Sequence, residues 1–570
     1  MHLYRERTSW LPFVCLLMVS GCVADKETVE PEVKDLNYGN FDPDHILQVE
    51  LTMAESDWDT MRYESRSFFS EFLGDCMDQP FSGNYTTFSA DISIDGESLS
   101  NIGIRKKGFI GSQSVDRPGF KINLDEYVQG AELFGVDNVT LNNAVQDPAI
   151  IRQCLGYDLF RQAGLAAPRC NFARVSMNGQ DLGIYAHVEP IKRSFLRDHF
   201  GSDDGDLYEG TLSDFHPQKY LTFDSKNSDT DESLTAIAAL TEALESSSPD
   251  TLKAILDEHI DLDHFLTFWA METLTGHWDG YTGNLNNFYV YRPLETERFV
   301  FIPWGMDGIM SPDMLEGDQH EPSRGVMSVS VIPVAILESD AVSDLFYDRL
   351  DSLLETVWNE TEILSEIDRM EALLSTEIDM DERSQWVDGL REYVNGRRDQ
   401  LIGTLPASVE GIRPPFCIVE MGSLTCDFET TWGTMGDDLV NTGVAELDVQ
   451  WEGSTIEMSQ AGAGAGPSED DPEKGAELAI VGLINPDEQS VLIPYFVFDA
   501  DSAVSGEPLL IGVDEMYSGL YYSDASMGHH FVEAAWMNGG SLTFDSFQQT
   551  AGGTVSGSVS TTLYNWVEFE

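Results

Sequence analysis

Basic side chains are scarce in this chain: 32 Lys and Arg stand against 99 Asp and Glu in 570 residues, a formal charge of −67. That balance excludes a general nucleic-acid binder, which needs a basic face to displace counterions from phosphate. Long apolar runs are also lacking. Past the N-terminus no stretch approaches the roughly 18–20 uninterrupted apolar residues of a membrane-spanning helix, so the body is expected to be soluble. There is no CxxC pair and no HExxH, which leaves a zinc site without support. No Ser-His-Asp or Cys-His nucleophile signature stands out either. What is present is 42 % apolar and 11 % aromatic residues, enough for real cores rather than disorder. At roughly 100–200 residues per domain, two to four domains are expected.

The first residues point to export. Arg5 and Arg7 precede an apolar run, Trp10 to Val19, that ends in Val19-Ser20-Gly21-Cys22. A charged start, a short apolar core and small residues before a cut form a secretory signal, too short to span a bilayer stably. A cysteine directly after Val-Ser-Gly resembles a bacterial lipoprotein box, with Cys22 lipidated as the new first residue. Residues 1–21 are therefore read as the signal peptide and 22–41 as an acidic, flexible tether. The expected location is the cell envelope, periplasmic or surface-exposed, with the membrane as a partner through lipid on Cys22. Of the seven cysteines, Cys15 leaves with the signal and Cys22 carries lipid. Among the remaining five, Cys417 and Cys426 lie nine apart around Gly422-Ser423 and are candidates to bridge a hairpin. Five is odd, so at least one thiol stays unpaired within the chain.

From about Asp42 the pattern is strand-rich, then helix-rich. His45 to Leu51 reads as a strand, followed by a short helix around Trp58. Ala90 to Ile94, the turn Asp95-Gly96-Glu97 and Ile102 to Lys106 form a hairpin signal, as do Phe172 to Met177, Asn178-Gly179 and Gly183 to Val188. Gly119 to Leu124 reads as a further strand. Asp147-Pro148 opens a helix that stops at Gly164. Helices are expected over 192–199, 232–245, 249–258 and 262–274, and again between 342 and 403, interrupted by a strand pair at Phe288 to Arg292 and Phe299 to Ile302. The fold class is α+β: a bilobal domain over 42–405, followed over 406–570 by an all-β, sandwich-like domain of short alternating runs. The Gly, Ala, Ser, Pro and acidic tract 459–475 reads as a long exposed loop.

His277-Trp278-Asp279-Gly280-Tyr281-Thr282-Gly283-Asn284 has the form H-x-D-x-x-x-x-N, the spacing of a protein-kinase catalytic loop. In phosphoryl transfer that Asp orients the acceptor hydroxyl, and the Asn five residues on holds a metal. Past the strand pair comes Pro303-Trp304-Gly305-Met306-Asp307-Gly308, where a kinase places its main magnesium ligand. Three fixed positions alone are a weak signal; the order helix, loop, hairpin, Asp-Gly strengthens it. The run Asp203-Asp204-Gly205-Asp206 lacks calcium-loop spacing and reads as a turn. Asp313, Glu316 and Asp318 read as a solvated acidic loop, and His277 as a packing residue.

Taken with Gly103 to Gly108, Asn178 to Tyr185 with Glu189, and Asn287-Phe288-Tyr289, these blocks resemble the CotH (spore coat protein H) kinase family over residues 45–402. The resemblance implies an atypical secreted protein kinase that moves phosphate from ATP to a hydroxyl of an exported or surface protein, using Mg²⁺ or Mn²⁺. Carried over by position, Asp279 is the catalytic Asp and Asp307 the metal-binding Asp. Asn284, or one of Asn286 and Asn287, is the second metal ligand. Lys121 is the lysine on the nucleotide phosphates, helped by Arg105 and Lys107, although a solvated strand-edge lysine would look the same. Ala186-His187-Val188-Glu189 takes the place of the hinge, its backbone meeting adenine and Glu189 supporting it. Three departures stand out. There is no G-x-G-x-x-G near Gly108 to Gly119, the helix 147–163 has no Glu to pair with Lys121, and Gly305 stands where the family carries another Asp. The alternative expectation is a surface adhesion protein that keeps the kinase-like shell but has little activity.

Overall fold

The computed structural model describes residues 41–568 except 67–71, 73–75, 82, 84, 110, 228–233, 312–324, 406–410, 437, 469–471, 473, 486, 488–489, 513–515 and 525–530. The signal, Cys22 and the tether as far as Asn40 therefore lie outside the described residues, as do Asp313, Glu316 and Asp318. Helices and strands are both abundant, and the C-terminal region is β-rich, so the chain is α+β.

Seven strands come first: β1 (Ile46–Thr52), β2 (Phe88–Ile94), β3 (Glu97–Lys107), β4 (Gly119–Asn123), β5 (Asn138–Asn142), β6 (Cys170–Met177) and β7 (Gln180–Val188). They close into a barrel in the order β1-β2-β3-β4-β5-β7-β6, with β6 running parallel to β1. Alternation along each strand turns one set of side chains inward, among them Val49, Ile92, Ile104, Phe120 and Leu141, all at most 2 % exposed. The two hairpin turns are built as their sequences demand. Asp95-Gly96 and Asn178-Gly179 sit at φ 49°/87° and 52°/80°, the paired left-handed geometry that matches strand twist.

A second sheet, in the order β11-β10-β8-β9, packs with the helices. Its strands are β8 (Asp206–Gly210), β9 (Asp224–Ser225), β10 (Phe288–Arg292) and β11 (Val300–Pro303). The helices include Arg152–Gln162, Leu262–Thr275, Asp340–Thr356, Glu360–Leu374 and Ser384–Thr404. The largest core unites them, with Tyr157, Trp269, Phe346 and Trp358 fully buried and the Trp269 and Phe346 rings stacked 3.7 Å apart. Among the described residues no helix is long and apolar enough to cross a membrane.

The C-terminal strands are all antiparallel neighbours: β12 (Phe416–Thr431), β13 (Val444–Trp451), β14 (Ser454–Ile456), β15 (Gln460–Pro467), β16 (Gly475–Asn485), β17 (Ser490–Asp499), β18 (Pro508–Leu510), β19 (Met516–Ser523), β20 (Val532–Phe547) and β21 (Thr554–Glu568). Hydrogen bonding runs through one ten-stranded sheet from β14 to β15, with β18 beside β20. The sheet curls until β15 comes back against β12 and β13, which gives a sandwich-like core.

Two expectations fail here. The tract 459–475 is not one exposed loop, because Gln460–Pro467 is strand β15, buried from Gly462 to Gly466. Its small residues are what the packing requires: a Cβ on Gly462 would lie 2.2 Å from the Leu439 carbonyl oxygen, and one on Gly464 2.3 Å from Leu439 Cδ2. Nor do Cys417 and Cys426 bridge. Both lie on β12, which continues through Gly422 with a bulge, and nine residues of strand span about 30 Å. Instead Cys417 pairs with Cys76 and Cys154 with Cys170, while Cys426 is the buried free thiol that the odd count demands.

Candidate functional site

The loop that carries Asp279 is fixed by the helix before it. Leu262–Thr275 starts on the Asp261 side-chain cap and ends at Gly276, φ 63°. Its Glu272, fully buried, accepts from the backbone N–H groups of Tyr281 and Thr282 at 3.0 Å each and from the Thr282 hydroxyl at 2.7 Å. Burial nevertheless pushes the Glu272 carboxyl up to about 7. His277, also buried, is hydrogen-bonded through Nε2 to the Trp304 carbonyl at 2.9 Å, and burial lowers it to about 4. That bond ties the loop to the exit of the strand pair at Trp304.

Asp307 is presented by the turn Met306–Gly308, and the helix Arg152–Gln162 holds that turn by close approach. A Cβ on Gly156 would lie 2.5 Å from Ile309 Cδ1 and 2.8 Å from Met306 Sδ. Gly305 enters the turn at φ 55°, a conformation that favours glycine. A side chain there would meet Asn287, whose Oδ1 is 2.3 Å from the ideal Cβ position. The departure from the family at 305 therefore has a steric counterpart: Asn287 fills the space.

Asp279 and Asp307 line one cleft of about 620 Å³ between the barrel, the second sheet and the C-terminal region. Arg105, Lys107, Lys121, Asn284 and Asn287 line it too. Adding Arg66, Lys106, Lys226 and Arg413, seven of the chain's 32 basic side chains meet here. Arg105 and Lys121 are cross-strand partners on β3 and β4, and Lys107 lies two residues on from Arg105, on the same face. The Lys107 amine donates to Asn142 Oδ1, and Asn142 in turn donates to Gln153 at 2.7 Å. Burial, then the charge of Lys121, lowers Lys107 to about 8. Lys121 is lowered by burial as well.

Three carboxamides fence Asp279. Asn284 Nδ2 donates to its Oδ1 at 2.6 Å, Asn287 Nδ2 to its Oδ2 at 2.6 Å, and Asn286 Nδ2 to Oδ1 at 3.2 Å. Burial still raises Asp279 above the usual carboxylate range, and the charge of Asp307 adds to it. Burial raises Asp307 too, opposed by Lys107. The Asn284 oxygen, expected on a metal, is instead taken by the Arg413 guanidinium.

One sequence-derived residue is elsewhere. Glu189 does not line the cleft: it is buried against Arg169, whose backbone N–H and Nε donate to Oε2 at 2.9 and 3.0 Å. The proposed hinge backbone is already used, because β7 is paired with β6 on one side and β5 on the other from Ala186 to Val188. Two other cleft residues escaped the sequence. Glu209, on β8, supplies the acid the helix lacked. Burial would raise its carboxyl, but Lys121 and then Lys226, whose amine is 2.5 Å away, hold it down to about 2. Arg413 is the second. Neither lies near a recognisable motif, and Asp206–Gly210 lacks the alternation that would mark β8 in the sequence.

Two half-buried carboxylates beside carboxamide oxygens make a hard, all-oxygen donor set. Among the described residues no group of three or more His, Cys, Asp or Glu could hold a metal ion. Mg²⁺ and Mn²⁺ take one or two carboxylates and complete their shell with substrate phosphate and water, and Asp307 with the neighbouring cleft carboxamides is a donor set of that kind. The residues present fit such a cation.

The site thus belongs to an α+β protein whose cleft sets an acidic pair against a basic wall. Residues 94–400 match the family described as CotH kinase protein, just over half of the chain, and the chain belongs to that family. It is 22 % identical over 285 residues to the inner spore coat protein H of Bacillus subtilis, covering 47 % of this chain and 78 % of that protein. To Invasin CotH2 of Rhizopus delemar it is 23 % identical over 280 residues, or 45 % of this chain and 47 % of that one. Invasin CotH3 of the same organism is 27 % identical over 198 residues, 32 % and 33 % of the two chains. The chain thus spans most of the spore coat relative but under half of either invasin. Among solved structures, that of the Helicobacter pylori proinflammatory kinase CtkA aligns with 59 % of this chain and 93 % of its own, at 11 % identity and a TM-score of 0.26.

Proposed function

We propose that this CotH-family chain is a metal-dependent phosphotransferase that moves phosphate from ATP to a hydroxyl of an exported or surface protein. The observation that carries the reading is the meeting of Asp279 and Asp307 with Lys107 and Lys121 in one cleft of a chain otherwise so acidic. Lys107 and Lys121 hold phosphate oxygens from the barrel side, with Arg105 beside Lys121. Asp307 holds the cation, with the Asn287 carboxamide next to it. When bound, the cation neutralises charge on the transferring phosphoryl group. Asp279, kept in place by its three amides, orients the acceptor hydroxyl and takes its proton. Its raised affinity for protons, a result of burial, suits that role.

Export is supported by the N-terminal pattern, by two disulfides, which persist in oxidising compartments, and by relatives named as a spore coat protein and invasins. Lipid attachment at Cys22 is part of the same proposal. The names of the invasins favour a second reading, surface binding without turnover.

The test is calorimetric titration of the whole chain with ATP and Mn²⁺, beside Asp307→Ala, followed by ATP-dependent labelling with Asp279→Ala as control. Metal-dependent binding lost in Asp307→Ala is the expected result. A folded chain that binds no ATP at millimolar concentration refutes the enzyme and leaves surface binding.

A further inference from the structure

Residues 411–415, just ahead of β12, lie outside the stretch that matches the family, yet they reach the loop that carries Asp279. Arg413 is tied there through backbone and side chain. Its N–H donates to the Val329 carbonyl at 2.9 Å, and the Val329 N–H donates to Thr282 at 3.1 Å. Its carbonyl accepts from the fully buried Lys219 amine. Its guanidinium donates to Asn284 Oδ1, while Asn284 Nδ2 donates to Asp279. Four residues further on, at the start of β12, Cys417 is bonded to Cys76.

A carboxamide between a guanidinium and a carboxylate has one good orientation. Its oxygen must face the donor and its nitrogen the acceptor; turned over, it sets donor against donor and acceptor against acceptor. Arg413 and Asp279 therefore hold the two ends of Asn284 in one and the same orientation. Without Arg413 only the carboxylate fixes the Asn284 rotamer, and its short contact with Asp279 is held less firmly.

We infer that Arg413 is a positioning residue for phosphoryl transfer, acting through Asn284 to hold Asp279, so that the connector into the C-terminal β region completes the cleft. The inference rests on the phosphotransferase reading for its role in transfer, though the clamp is a property of the loop itself.

The test uses the whole chain in four forms: unaltered, Arg413→Gln, Asn284→Ala and the double variant. The rate of ATP-dependent labelling at saturating ATP and Mn²⁺ is read, with ATP affinity by calorimetry and the thermal midpoint followed in parallel. Arg413→Gln should slow labelling at least roughly tenfold, the size of one charge-assisted hydrogen bond, with the midpoint unchanged. Arg413→Lys should recover only part of it, lacking the planar fork. The double variant should be no slower than the slower single one. Additive losses, or an Arg413→Gln chain that labels like the unaltered one, overturn the inference. If the unaltered chain transfers no phosphate, the phosphotransferase reading falls and hydrogen exchange over residues 279–288 judges the clamp. Faster exchange in Arg413→Gln sustains it; exchange unchanged from the unaltered chain overturns it.

Discussion

Replacing Cys76 and Cys417 by serine should destabilise the protein more than replacing Cys154 and Cys170. The reasoning is chain entropy. Cys76 and Cys417 are 341 residues apart in sequence, Cys154 and Cys170 only 16. Closing loops of these lengths in the unfolded chain costs about 6 and about 3 kcal/mol respectively on the logarithmic loop model. The long loop contains six of the seven barrel strands, the helical core and both Asp279 and Asp307, so the whole family-matched part is held inside it. An aromatic cluster at the junction, in which Phe72, Phe416 and Trp566 take part and the Phe416 and Trp566 rings stack 3.8 Å apart, remains after the bond is cut. The loss is therefore expected below the full 6 kcal/mol but above that of the short bridge. Urea unfolding of the two double-serine variants, followed by tryptophan fluorescence, measures the difference. A larger loss on opening Cys154–Cys170 than on opening Cys76–Cys417 would refute the argument.

Glu209→Gln removes the charge that compensates Lys121 and Lys226. Each lysine should then give up its proton more readily, and ATP affinity, read by calorimetry at pH 9 and pH 7, should fall more steeply with pH than in the unaltered chain. Gly305→Ala puts a Cβ into Asn287 at φ 55° and should cost about 1–2 kcal/mol; a chemical-denaturation midpoint equal to that of the unaltered protein would count against the close approach. Glu272 gives a pH dependence with a definite sign. Its carboxyl sits at about 7 in the folded state against about 4.5 unfolded, so the folded protein binds the proton more tightly. The resulting stability is complete below pH 4.5 and is lost as pH rises through 7, by at most about 3 kcal/mol. Glu272→Gln should flatten the difference in unfolding midpoint between pH 5 and pH 8, and an undiminished slope in that variant would assign the dependence elsewhere.

Much of this was legible because its causes are local. Asp95-Gly96 and Asn178-Gly179 dictate their turns, and the strands on either side follow from alternation, so both hairpins could be read directly. That Asp279 and Asp307 meet in one cleft could be anticipated because each stands at a fixed distance from a helix or hairpin that the sequence announces. What escaped depends on pairings between distant segments. Glu209 meets Lys121 only because β8 faces the barrel across the cleft. Cys417 finds Cys76 only because β12 passes beside it, while spacing alone suggested Cys426. The tract 459–475 looked like a loop because Gly and Ala are poor strand formers, yet β15 needs their small size to let the 439–442 turn lie against it. The hinge reading failed because barrel closure uses both edges of β7, which no single hairpin reveals.

The concentration of basic groups in the cleft of so acidic a molecule also shapes how ligands arrive. An anion far from the surface meets the field of a −67 body and is repelled; only within roughly a Debye length, about 8 Å at physiological salt, does the basic wall dominate. Added salt should therefore quicken the encounter with a nucleotide, the reverse of the usual behaviour of an electrostatically steered pair. Divalent cations and any segment rich in lysine or arginine experience the opposite field and are drawn in from a distance. The surface thus sorts its visitors by charge before the cleft examines their shape.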